Sequence, residues 1–125
     1  MTVLLGMAVL AFRSAGDAPV YYDTNAVVTT YAGFGFFGYL NGTGTQTMFD
    51  HPTVLAMGPQ SIAVVWDSWN SRFRKIDGEQ VVTAFAGKEG NAPSDGVGET
   101  AGFRDVKNTC LMPNGSFAVA DGNSN

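Results

Sequence analysis

"VVTTYAG", Val27 to Gly33, returns as "VVTAFAG", Val81 to Gly87, at an offset of 54 residues. Held without a gap, that offset sets Gly42 on Gly96, Gly44 on Gly98 and Phe49 on Phe103. It also sets Pro59 on Pro113, Val65 on Val119 and Asp67 on Asp121. Val27–Ser71 against Val81–Asn125 gives 11 identities in 45 pairs, where random pairing gives only a few. A fixed period of this size marks a repeat architecture, in which each unit buries its apolar face against a neighbour.

Within one period, short strands alternate with turn residues. Thr53–Met57 leads to a Gly-Pro turn, Ser61–Asp67 to a Ser/Asn turn, Arg72–Asp77 to Gly78-Glu79, and Val81–Gly87 closes the unit. Ile62 to Trp66 is a continuous apolar run, and Phe117 to Ala120 is its counterpart. A strand with no polar face is buried on both sides. Four-stranded antiparallel sheets covered on both faces and recurring at a fixed period are blades around an axis. The expectation is an all-β fold: a partial β-propeller of four-stranded antiparallel blades with a 54-residue repeat.

The same residues resemble the NHL-repeat family. The matching features are the Val-Val-Thr strand ending in Ala-Gly, the Gly-rich loops "NGTG" and "SDGVGETAGF", and the run "SIAVVWDSWNSRFRKI". Asp67, Asn70, Arg72, Arg74, Lys75 and Ile76 fit the family signature in the first copy, and Asp121 begins it in the second. Trp66 and Trp69 depart from the pattern, and His51-Pro52 becomes Asp105-Val106 in the second copy. The resemblance covers about Val20 to Asn125. It implies a propeller and leaves function open, since one fold hosts many activities. It divides the chain into residues 27–80, an NHL-like repeat, and residues 81–125, a second and truncated one. Residues 1–26 read either as the end of a preceding partial blade or as a signal-like segment. The 54-residue register favours the blade, with Val9–Phe12 on Ala63–Trp66 and pairing expected near Val20–Tyr22.

Composition narrows the function. The 125 residues carry 7 Lys plus Arg against 11 Asp plus Glu, a net charge of −4, which excludes the basic footprint of a nucleic-acid binder. One cysteine, Cys110, and one histidine, His51, cannot build a Cys/His zinc site alone. Cys110 reads as a buried small hydrophobe. The apolar run Val3–Phe12 is too short to span a bilayer. The compartment stays open: secreted or surface if residues 3–12 are a signal peptide, otherwise intracellular. The sequons at Asn41 and Asn114 matter only in the secreted case.

One motif invites a cofactor. Gly33-Phe34-Gly35-Phe36-Phe37-Gly38 reads G-x-G-x-x-G after a strand. A dinucleotide loop must open into a helix whose N-terminus holds the pyrophosphate. Here "YLNGTGTQT" follows, with no helical periodicity, and the second copy keeps only the first glycine. The motif therefore reads as loop, and no cofactor or metal is expected. Asp95-Gly96-Val97-Gly98-Glu99 has acids near glycines but lacks the full alternation of a calcium loop. Asp67 and Asp121 read as strand-end carboxylates that accept backbone N–H groups. Arg72, Arg74 and Lys75 read as a salt-bridged structural cluster.

The residues left for recognition are Phe34, Phe36, Phe37, Tyr39, His51 and Trp69. Exposed loop aromatics suit a contact surface, and they also suit a staple onto a neighbouring blade. The leading expectation is a non-enzymatic propeller segment acting as a scaffold for a protein or small ligand through its loops. The alternative is a fragment of a metal-dependent lyase or lactonase propeller, for which one histidine and no paired acids are meagre equipment. Known propellers close with roughly four to eight blades. Two repeats are therefore expected to need further blades or self-association.

Overall fold

The structure, a computed structural model, describes residues 9–11 and 29–122. Its strands form three antiparallel sheets in chain order. β1 (Val9–Ala11) pairs with β2 (Thr29–Ala32). β3 (Gly42–Thr43), β4 (Pro52–Met57), β5 (Ala63–Asp67), β6 (Arg72–Ile76) and β7 (Val81–Ala86) form the second sheet, in spatial order β3-β7-β6-β5-β4. β8 (Val106–Leu111) pairs with β9 (Phe117–Asp121). This is the expected all-β architecture of a partial propeller, with β4 to β7 as one whole meander blade.

The sequence reading did not anticipate β3. Gly42 and Thr43 leave the Gly-rich loop to pair with Val82 and Val81, and so cover the outer edge of β7. An edge covered in this way no longer offers unpaired N–H and C=O groups to another chain.

The core follows from β5, where all five residues are buried. Ala63 and Val65 face Ala32, Phe49, Ile76 and Val82, with Tyr31 packed against them. Val64 and Trp66 face the other way, into Phe73 and Val106, with Phe103, Phe117 and Val119 alongside. The blade is thus packed on both faces, as its unbroken apolar run requires. Full burial of each large side chain is worth about 1.5–3 kcal/mol.

The 54-residue offset recurs in the backbone hydrogen bonds. Gly33 N–H donates to Gly44 C=O at 3.1 Å, and Gly87 N–H to Gly98 C=O at 3.1 Å. Phe34 bonds Thr47 as Lys88 bonds Ala101, and Gly58 bonds Ile62 as Met112 bonds Ser116. Gly33 and Gly87 have φ of 116° and 103°, a region L side chains rarely adopt. At Gly87 a Cβ would also lie 2.5 Å from the Ser71 carbonyl oxygen. The glycine ending the Val-Val-Thr strand is therefore required by the turn, and the loop after it contains no α-helix.

One pairing at the N-terminus was not expected. Val9–Ala11 is a strand, but it pairs with β2, Val9 opposite Ala32 and Ala11 opposite Thr29. In the 54-residue register these are second and fourth strands, which are not neighbours in the complete blade. The edge of β2 needs hydrogen-bond partners, and β1 supplies them. The segment expected as partner, Val20–Tyr22, lies outside the described residues, as do residues 1–8 and 12–28.

Candidate functional site

Strand direction decides which loops meet. Asp67 lies opposite Arg72, Pro52 opposite Asp67, Phe73 opposite Ala86, and Val106 opposite Asp121. The loop after β2, the turn Ser68–Asn70, the loop after β7 and the start of β8 therefore gather at one end of the sheets. All six residues singled out for recognition lie at this end. The turns at residues 58–62, 77–80 and 112–116 occupy the other.

A buried ion pair anchors the loop-bearing end. Alternation and register put Val65, Asp67 and Arg74 on one face. Arg74 Nη1 donates to Asp67 Oδ2 at 2.8 Å, with both side chains fully buried. Arg74 also donates to Met48 C=O, Leu40 C=O and Asn41 Oδ1 at 3.1, 2.9 and 2.8 Å. Asp67 further accepts the Asp50 N–H at 2.6 Å and the Asn70 amide at 2.8 Å. Burial pushes the Asp67 carboxyl above the usual carboxylate range, while these donors and the Arg74 charge act against that shift. Asp121 repeats the strand-end role, accepting the N–H groups of Arg104 and Asp105 at 2.9 and 2.7 Å. Arg72 pairs with Glu99 at 3.1 Å, and Lys75 lines a cleft on the opposite face of the blade. Asp67, Asp121, Arg72 and Arg74 are each held by partners within the protein.

The aromatics after Gly33 project outward. Phe34, Phe36, Phe37 and Tyr39 are all exposed, Phe37 by 75%. Phe34 and Phe36 rings lie 5.7 Å apart. Tyr39 lies over the Arg74 and Arg72 guanidinium groups at 4.5 and 5.0 Å. The loop beneath is tied by Phe34 N–H to Thr47 C=O, Gly38 N–H to Phe49 C=O, and the Asn70 amide to Gly38 C=O.

His51 and Trp69 form a second feature. Their rings stack at 4.0 Å with an interplanar angle of 14°. His51 Nδ1 also meets Asp50 Oδ1 at 2.6 Å. Neighbours on a regular strand would point to opposite faces, but His51 has φ of 51°, outside strand geometry, and that bend brings the pair together. Trp69 is 71% exposed. It borders a groove of about 790 Å³ between the two blades. Trp66 and Ser68 line the groove from one blade, and Asn91, Arg104 and Lys107 from the next.

The sequence reading missed the groove's polar wall. Asn91, Arg104, Asp105 and Lys107 come from the second copy, while Ser68 and Trp69 come from the first. One signal was available, since Asp105 stands where the first copy has His51. Cys110 also needs correction: it is exposed, because the buried positions of β8 are Val106 and Thr109. In the calcium-like segment, Glu99 is taken by Arg72, and Gly98 opens a 3-10 turn at φ 54°. Among the described residues, no group of three His, Cys, Asp or Glu is placed to hold a metal, and no helix is long and apolar enough to cross a membrane.

No protein-family model matches the chain, and no curated protein matches it. Its structure is similar to that of an auxiliary nutrient binding protein from Bacteroides thetaiotaomicron. The TM-score is 0.71 at 16% sequence identity, and the match covers 96% of this chain. The chain spans 31% of that protein's length. At this identity the likeness speaks to the fold.

Proposed function

We propose that the chain is a non-enzymatic segment of an NHL-type propeller, serving as a scaffold that binds a small ligand or a protein through its loop-bearing end. The observation that carries this reading is convergence. Loops from both copies meet at one end, where exposed aromatics and an open polar groove lie side by side. A concave site with an aromatic wall and a few polar groups is the usual form of a ligand pocket. The similar protein from Bacteroides thetaiotaomicron is described as nutrient binding, which supports a binding role. The lyase or lactonase alternative is not favoured, because the description of the similar protein names binding and no reaction.

The test is a thermal-shift screen of the full chain against sugars, amino acids, nucleotides and organic acids. At least one solute should raise the melting temperature, and a Trp69→Ala/Phe36→Ser/Phe37→Ser variant should lose that response. The bound solute should be recovered chemically unchanged. Recovery of an altered solute would favour the enzyme alternative. A full set of solutes without effect removes the small-ligand reading.

A further inference from the structure

The groove beside Trp69 has a chemistry specific enough to name a ligand class. We propose that it binds a neutral saccharide, with a sugar ring stacked on the Trp69 indole and its hydroxyls paired to Arg104, Asn91 and Asp105. This rests on the scaffold reading above and narrows it to one site and one class of ligand.

Three observations lead there. First, His51 covers one face of the indole at 4.0 Å and does not itself line the groove. Trp69 still borders the groove and is 71% exposed. An indole backed by a stacked ring is held in place and presents a flat apolar platform, the surface against which the C–H face of a sugar ring packs. Second, the polar wall mixes donors and acceptors. The Arg104 guanidinium makes no hydrogen bond or ion pair within the described residues, so its donors are available. Asn91 accepts the Ser71 hydroxyl through Oδ1 at 2.7 Å, which fixes the side chain and leaves its amide N–H groups to donate. Asp105 lies 2.7 Å from Lys107 Nζ and places an acceptor beside them.

Third, the charges decide between ligand classes. A carboxylate or phosphate ligand would gain from Arg104 and Lys107 but meet Asp105. A cation would gain from Asp105 but meet both basic groups. A neutral ring bearing hydroxyls, each both donor and acceptor, uses all of them without a like-charge contact. The volume, about 790 Å³, lies in the range of small-molecule sites.

The experiment uses the full chain with maltotriose, cellotriose and xylotriose as neutral probes, galacturonic acid and AMP as anionic probes, and free tryptophan as a planar zwitterion. Tryptophan fluorescence and calorimetry report binding. At least one neutral trisaccharide should bind. Trp69→Ala should weaken it at least about tenfold, and Arg104→Ala by several fold, each with an unchanged melting temperature. Glu79→Ala, at the opposite end of the sheet, should leave affinity as it is. Failure of every saccharide to bind at about 10 mM overturns the proposal. So does binding that survives Trp69→Ala. AMP or tryptophan binding through Trp69, with no saccharide binding, removes the sugar assignment while the scaffold reading stands. Failure of all six probes together with an empty solute screen removes both.

Discussion

The two copies of the repeat turn the same corner with different depth. In the first, Asp67 is fully buried, accepts the Asp50 N–H, and is bound by Asn70 and Arg74. In the second, Asp121 is half-buried and accepts the N–H groups of Arg104 and Asp105. The shared part is a carboxylate at the end of the second strand that holds the entry to the first strand. The added part is Arg74, which reaches past the blade to the loop bearing the aromatics. The recurring aspartate therefore closes a blade, and the arginine joins that blade to a loop. An aspartate that only closed a corner would not need to be buried as a charged pair.

The largest expected effect separates these two jobs. Arg74→Met leaves a buried carboxylate without its cation and removes the donors to Met48 C=O, Leu40 C=O and Asn41 Oδ1, and should cost about 3–5 kcal/mol in urea unfolding. Asp121→Ala removes the charge-assisted bonds to the Arg104 and Asp105 N–H groups, and should cost about 1.5–3 kcal/mol. Equal losses for the two variants would break the comparison. Gly87→Ala follows, at about 1–3 kcal/mol from the positive φ, with the Ser71 carbonyl contact adding to it. Gly115→Ala, also at positive φ but with open space around the Cβ, should cost about 0.5–1 kcal/mol. The difference between the two glycines measures the close approach of the end of β7 to the Ser71 turn within one blade.

The smallest expected effect is a pH dependence. The folded-state pKa of Asp67 is raised by burial, so the folded chain holds that proton more tightly than the unfolded chain. Its contribution to stability is fully present below the ordinary carboxylate value, near about 3.9. It is lost as pH rises through the raised folded value. Wild type should therefore lose stability relative to Asp67→Asn as pH climbs through that window, as read by urea unfolding at a series of pH values. An opposite slope would mean that the Arg74 pairing outweighs desolvation.

Local chemistry made the strands legible. Gly-Pro, Ser/Asn and Gly-Glu turns bounded β4 to β7 closely, because these residues stop a strand wherever they occur. The repeat offset showed that only the first glycine of the G-x-G-x-x-G motif recurs, and in the fold that glycine ends a strand with no α-helix after it. β3 was not legible, because Gly42 and Thr43 form a strand only through the edge that β7 offers them. Cys110 was misread for a related reason: an apolar run says that a strand exists, and its neighbours decide which side faces out. The groove was hidden because Trp69 and Arg104 are 35 positions apart and meet only when two blades pack. Phe34, Phe36, Phe37 and Tyr39 stood out in the sequence because several aromatics in a Gly-rich stretch are unusual, whereas the stacking of His51 on Trp69 depends on two turns that meet only in the fold.

The Arg74 clamp has a consequence for the speed of the recognition proposed above. Its bonds to Leu40, Asn41 and Met48, with those of Phe34 and Gly38, fix both ends of the aromatic loop before anything docks there. A loop whose backbone is ordered in advance forgoes part of the ordering cost of binding. Encounter is then limited by orientation rather than by a closing motion. Association at this loop should be a single phase, linear in concentration, at about 10⁵–10⁷ M⁻¹s⁻¹. With Arg74 removed, the same contact would gain a slow step in which the loop must first find its shape.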